Sequence, residues 1–204
     1  MAIRCFFLTP TEQVRHQLRR YTSNSPCPAM PGHYSYHNAM SAMIGILTVP
    51  IPSKDSHEPV APYVSTEDPR WPNKCDRCDY LFDIADPKQS WTERLMKRSD
   101  NGELTTIRDA PPGAMWNAWW MGPLWQGSDG MSLNVRCPDG HDWCIDGRAS
   151  NCTLPNDNVH RCWVRHGVPP EITVDKNGHT CSAGGGSIQT PQWHGFLRGG
   201  SLVE

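Results

Sequence analysis

The sequence predicts a mainly β protein of antiparallel hairpins or a meander, with an N-terminal helix, long loops and a small knuckle element built on a cysteine pair. Three observations carry that expectation. Alternating runs interrupted by Gly-containing turns recur through the second half of the chain. Gly and Pro contribute 17 and 19 of the 204 residues, a composition of short elements joined by turns rather than of long helices. Nine cysteines and nine histidines accompany an apolar share of only 37%. Thiols or metal are therefore expected to do part of the work of a large core.

In chain order, "LTPTEQVRHQLRRYT" opens like a helix. Thr9 caps it, Pro10 suits the first position, Glu12 completes a capping box, and Val14, Leu18 and Tyr21 fall on one apolar stripe. Arg15, His16, Arg19 and Arg20 cover the remaining surface and read as a solvated face. From Thr22 to Pro72 the chain is rich in Pro, Ser and small residues without a sustained period, so it reads as extended loops wrapped over the body. Loops of that length need pinning. Four hairpins are then expected, in "ERLMKRSDNGELTTIRD", "SLNVRCPDGHDWCID", "EITVDKNGHTCSA" and "HGFLRGGSLVE". Their turns fall at Asp100–Gly102, Pro138–Gly140, Lys176–Gly178 and Arg198–Gly200. Between the first two, "APPGAMWNAWWMGPLW" reads as a short helical turn begun by Pro112, with Met115, Trp116, Trp119 and Trp120 packed inward. Residues 1–103 thus hold the N-terminal helix, the wrapping loops and the knuckle; residues 104–204 hold a Trp- and Cys-rich antiparallel β region forming one compact unit.

The knuckle is "NKCDRCDYLF". A Cys-x2-Cys pair on a tight turn presents two thiolates to one ion, and zinc needs four such donors at tetrahedral angles. Pro69 and Pro72 precede the pair, whereas a thioredoxin-type redox pair opens a helix after a buried strand. Asp79 stands where a glycine usually follows the second cysteine, a departure from the knuckle pattern. The missing half of the shell is sought in "CPAMPGHYSYHN", inside the loop that needs pinning. The expected structural zinc ligands are Cys27, His37, Cys75 and Cys78, with His33 the substitute.

A second concentration comprises Cys144, Cys152, His160, Cys162, His166, His179 and Cys181. Three uses stay open: another zinc shell, a disulfide in an exported particle, or a catalytic Cys/His pair oriented by Asn151, Asp146 or Asp157. The thiols from Cys137 to Cys181 are expected to be mostly buried and mutually close, near Trp143 and Trp163. "CSAGGGSI" lacks the Gly-Lys-Ser/Thr ending of a phosphate loop and reads as close backbone packing or a linker.

A formal net charge of −2 argues against a surface given over to gripping phosphates. No apolar run approaches the roughly 18 residues of a membrane span, and "MAIRCFFLTP" is too short for a signal h-region. The expectation is a product of a reducing cytoplasm, where thiols more often bind metal than pair.

The stretches "APPGAMW", "WCIDGRASNCT", "HRCWVRHG", "TVDKNGHTCSAGGGSI" and "WHGFLRGG" together resemble a protein family of tailed-phage and prophage genomes. The resemblance implies a phage origin and synthesis in the host cytoplasm, and it assigns no role to any residue. The function expected on these grounds is a non-enzymatic, zinc-binding structural or virion-associated accessory component, with other phage proteins or a second copy as partner. The alternatives are a zinc-dependent nucleic-acid-binding accessory protein, using Arg15, Arg19 and Arg20, or an enzyme with Cys152 or Cys162 as nucleophile and His160 or His166 as base.

Overall fold

The computed structural model describes residues 2–30, 36–46, 64–122, 125–183 and 185–204. Among these, thirteen strands follow one another: β1 (Ile3–Arg4), β2 (Phe6–Thr22), β3 (His37–Ile46), β4 (Lys88–Arg98), β5 (Leu104–Thr105), β6 (Ala114–Asn117), β7 (Leu133–Arg136), β8 (Asp142–Cys144), β9 (Val164–Val168), β10 (Glu171–Asp175), β11 (Ile188–Gln189), β12 (His194–Arg198) and β13 (Ser201–Val203). Trp119–Met121 form a 3-10 turn, and no helix among the described residues is long and apolar enough to cross a membrane. The chain forms two compact units, one from residues 2–10 and 96–204, the other from 11–46 and 64–95.

In the unit of residues 11–46 and 64–95, the expected N-terminal helix is replaced by strand. β2 pairs antiparallel with β3 over ten consecutive positions, from Gln13 opposite Ile46 to Thr22 opposite His37. Burial along β2 alternates strictly here: Val14, His16, Leu18, Arg20 and Thr22 are buried, and the residues between them are half-buried. Val14 and Leu18 satisfy a helical stripe and a strand face equally, since a separation of four is even. The period of two is hidden in the sequence because two of the buried positions are polar. His16 contacts Thr92 Oγ1 through Nδ1 at 2.9 Å, and the Arg20 guanidinium donates to the Asp83 and Pro72 carbonyls while lying over the Phe82 ring. β4 lies on the other side of β2, tied by Thr11 Oγ1 to the Leu95 carbonyl (2.7 Å) and by Arg94 Nε to the Thr11 carbonyl (2.7 Å). β3 also falls within the stretch that reads as wrapping loop; its Asn, Ser, Gly and small apolar residues give no strand signal on their own.

In the unit of residues 2–10 and 96–204, three of the four expected hairpins form. Met96–Lys97 of β4 pair with β5, β7 pairs with β8 across the turn at Pro138–Gly140, and β12 pairs with β13 across Arg198–Gly200. Gly140 takes the positive φ of +84° that its turn demands. The third hairpin is different. β10 pairs backwards with β9, through a Pro169–Pro170 turn, and the residues after Lys176–Gly178 are not a strand partner of β10. They instead make one parallel bridge, Thr180 opposite Arg161. The sheet interior is filled by Met115, Leu133, Val135, Ile172, Leu197 and Leu202, all essentially inaccessible. "APPGAMWNAWW" forms β6 and the 3-10 turn: Met115 and Trp116 are buried as expected, whereas Trp120 is exposed and Trp119 half-buried.

The first two residues of β2 run parallel to β6, Phe6 opposite Ala114 and Phe7 opposite Met115. Gly113 makes this junction possible. Its carbonyl accepts from Phe6 N and its amide donates to the Arg136 carbonyl, at φ +91°, where an added Cβ would stand 2.6 Å from the Arg4 carbonyl oxygen. Gly113→Ala is expected to destabilise the protein by about 1–3 kcal/mol through backbone strain and loss of this pairing. Urea unfolding checks this, and an unchanged midpoint would show that the junction yields without cost.

Candidate metal centres

Cys27, His37, Cys75 and Cys78 come together: one ligand atom from each lies within 4.8 Å of every other. Cys27 opens a turn after β2, with Met30 N donating to its carbonyl at 3.0 Å. His37 is the first residue of β3 and points inward, because it shares the buried face with Ala39. The cysteine pair sits on a loop closed by the Lys74–Leu81 bridge, by Cys75 N to Tyr80 O (2.9 Å) and by Phe82 N to Asn73 O (2.9 Å). Asp76 fastens that loop to β3, its amide donating to Asn38 O (3.0 Å) and its carboxylate accepting from Met40 N (3.0 Å). Sequence-distant donors are thus set by backbone pairing, and only then by their own side chains.

The spacing of the donors suits a shared ion. With Zn–S near 2.3 Å and Zn–N near 2.0 Å, a tetrahedron has edges of about 3.7 Å between sulfurs and about 3.5 Å between sulfur and nitrogen. Cys27 Sγ and Cys78 Sγ are 3.8 Å apart, and Cys78 Sγ and His37 Nδ1 are 3.3 Å apart. A disulfide would need about 2.05 Å. All nine cysteines lie among the described residues and all are free. Outside the ring of donors, Ser25 Oγ stands 3.2 Å from His37 Nε2, leaving Nδ1 turned toward the sulfurs. Tyr80 stacks on the imidazole at 3.9 Å, its hydroxyl donating to Asp86, which also accepts from Asp83 N.

Electrostatics favour the thiolate at Cys75 and oppose it at Cys78. Burial opposes ionisation of Cys75, but backbone amides including those of Arg77 and Cys78, with His37, outweigh it and bring the thiol down to about 6. For Cys78 the Tyr80 amide favours the thiolate, while burial and the neighbouring Cys27 and Cys75 sulfurs prevail and push the thiol up. Three thiolates held this close would repel one another, and a divalent ion among them would remove that repulsion. Asp79, in the place of the usual glycine, does not disturb the turn: Tyr80 N still reaches Cys78, and the Asp79 carboxylate pairs with Lys74 Nζ at 2.6 Å. His33, the substitute ligand, lies outside the described residues.

In the other unit Cys152, His160, Cys162 and Cys181 meet the same test, each ligand atom within 4.8 Å of the others. The isolated Arg161–Thr180 bridge, with Arg161 N donating to His179 O at 3.0 Å, carries the segment of His160 and Cys162 alongside Cys181. Cys152 closes a turn on the Ala149 carbonyl at 3.1 Å. The other members of the sequence cluster are elsewhere. Cys144 lies on β8 opposite Asn134, His166 pairs with Asp175 at 3.0 Å, and His179 pairs with Asp157 at 2.7 Å. Of the five thiols from Cys137 to Cys181, therefore, only three are mutually close. Cys137, Cys162 and Cys181 are buried, while Cys144 and Cys152 are half-buried. Sequence reading did not separate this foursome from its neighbours. The tight Cys152, His160, Cys162 spacing was the available signal, diluted by three further residues of the same types.

Cys5 and Cys137 are of another kind. Both pack in the apolar interior, and burial, as the largest influence, pushes each thiol up to about 12. They are expected to resist alkylation at pH 8 in the folded protein, as thiols with almost no thiolate. Peptide mapping after brief iodoacetamide treatment checks this, and rapid labelling of either would contradict it.

Compared with models of protein families, with characterised proteins and with solved structures, the chain matches none.

Proposed function

We propose that the chain is a non-enzymatic zinc-binding protein, in which Cys27, His37, Cys75 and Cys78 hold one structural zinc ion, and that it serves as a structural or virion-associated accessory component of a tailed phage. The single observation that carries the metal reading is a closed set of four Cys and His donors, spaced as one tetrahedral ion requires. A mixed Cys/His set suits zinc better than the hard cations, which take oxygen. Bound there, the ion supplies a cross-link between the Cys27 turn, the start of β3 and the knuckle loop. Four protein donors leave no position for water or substrate, which is the reason for preferring a structural role.

Phage origin, assembly with other phage proteins or with a second copy, and synthesis in the host cytoplasm are supported by the resemblance of the quoted motifs. A nucleic-acid role gains little from the basic residues of β2. Arg15 pairs with Glu93 at 2.8 Å, Arg19 donates to Asn38 Oδ1 and stacks with Tyr21, and Arg20 is buried against backbone carbonyls. A Cys/His nucleophile gains little from the second cluster, where His160 is fully buried and its outer nitrogen meets a backbone carbonyl rather than an orienting carboxylate.

Elemental analysis of full-length protein purified without chelator tests the metal. Zinc is expected, and Cys75→Ser with Cys78→Ser is expected to remove one equivalent. Metal-free wild-type protein, or an ion on this pair with a coordinated water, would reject the structural role. Mass spectrometry of purified particles tests the virion reading, which fails if the protein is absent from them.

A further inference from the structure

We propose that Cys152, His160, Cys162 and Cys181 form a second tetrahedral zinc site, structurally independent of the first. The donor spacing fits as it does in the other unit. Cys162 Sγ and Cys181 Sγ are 3.6 Å apart, and Cys152 Sγ and His160 Nε2 are 3.2 Å apart, against tetrahedral edges of about 3.7 and 3.5 Å. The imidazole is oriented from outside. His160 Nδ1 lies 2.7 Å from the Asp157 carbonyl oxygen, which can only accept, so Nδ1 carries the proton and the Nε2 lone pair faces the sulfurs. The sulfurs in turn receive backbone amides: Ala149 N reaches Cys162 Sγ at 3.3 Å, and the amides of Thr153 and Ala183 favour the Cys181 thiolate.

The fold also gives the site a task. Residues 145–163 connect β8 to β9 without a strand, longer than connections in compact domains usually run. Their apolar packing at the cluster is small: Cys162, Cys181 and Ala183 are the buried members, with Ala149, Cys152 and Trp163 against them. An ion shared by Cys152, His160, Cys162 and Cys181 fastens this connection to the segment after β10. The cations beside it are already engaged with backbone, Lys176 Nζ with the Cys162 and Ala183 carbonyls and Arg148 with those of Pro155 and Asp157, so they hold the same loops from outside.

Native mass spectrometry of the full chain, supplied with zinc alone, is expected to show two ions per molecule. Cys162→Ser with Cys181→Ser should lower this to one, and Cys75→Ser with Cys78→Ser should do so separately. A single ion in the wild type that disappears with the Cys75/Cys78 variant would overturn this proposal and leave the first centre standing. A single ion that disappears only with the Cys162/Cys181 variant would do the reverse. Should those variants fail to fold, the wild type still decides. Chelation is expected to speed alkylation of Cys152, Cys162 and Cys181 by about ten-fold or more, with Cys137 remaining slow. Equal rates for the three thiols with and without chelator would overturn the second site.

Discussion

Cys75→Ser, or chelation of the wild type, is expected to unfold much of residues 11–46 and 64–95 while the sheets of residues 96–204 persist. The reason is the small apolar core around the first centre. Its buried members are Cys27, Ala39, Cys75 and Phe82, of which two belong to the proposed donor set. Structural zinc in small domains supplies on the order of 10 kcal/mol, which compares with the whole stability of a typical domain. The Cys27 turn, the start of β3 and the knuckle loop meet at the four donors, at the Tyr80–His37 stack, at Ser25 and at Asp76. Limited proteolysis with peptide mapping should find new cleavage within 22–30, 36–46 and 64–87, together with a lost low-temperature transition in calorimetry. An unchanged digestion pattern after complete metal removal would refute the staple.

Arg165→Leu is expected to cost about 3–5 kcal/mol, because it strands a buried carboxylate. Asp146 is almost wholly inaccessible; it accepts from Leu133 N at 2.9 Å and from Arg165 Nε at 2.8 Å. Burial pushes its carboxyl up, and the guanidinium and the Leu133 amide only partly offset this. Arg165 also pairs with Asp129, but that carboxylate is exposed enough for water to replace the partner. The sign with pH follows from the raised carboxyl. Between its unfolded and folded values the folded state holds the extra proton, so stability is greatest below that window and falls as pH rises through it. The defect of Arg165→Leu should therefore shrink toward acid. Adding Asp146→Asn, which keeps an acceptor for Leu133 N and removes the charge, should recover part of the loss. Urea unfolding at two pH values measures both effects; a single variant within about 0.5 kcal/mol of wild type would show that Asp146 is effectively solvated.

Legibility in the sequence followed the range of the determining contacts. The β4–β5, β7–β8 and β12–β13 hairpins were readable because a glycine turn and its flanking alternation lie within a few residues. β2 was not, since its buried face includes His16 and Arg20, whose partners Thr92, Pro72 and Asp83 are distant in sequence. The same holds for β10, where Lys176–Gly178 looks like a hairpin turn but the true partner precedes the strand. For the first cluster, the local Cys75–Cys78 spacing and a long loop with few other donors narrowed the choice. For the second, the four donors come from three segments amid Cys144, His166 and His179, and only tertiary pairing through Arg161 and Thr180 separates them.

The aromatic neighbours of the two clusters give each a separate optical signature. Trp163 packs against the Cys162–Cys181 group and meets Trp143 edge-on at 5.3 Å, whereas the ring against His37 is a tyrosine, Tyr80, at 3.9 Å. A paramagnetic, visible-absorbing substitute such as cobalt(II) placed among Cys152, His160, Cys162 and Cys181 would drain indole emission at short range. The same ion among Cys27, His37, Cys75 and Cys78 would act first on a phenol. Loss of indole emission would thus report the ion beside Trp163 more strongly than the ion beside Tyr80.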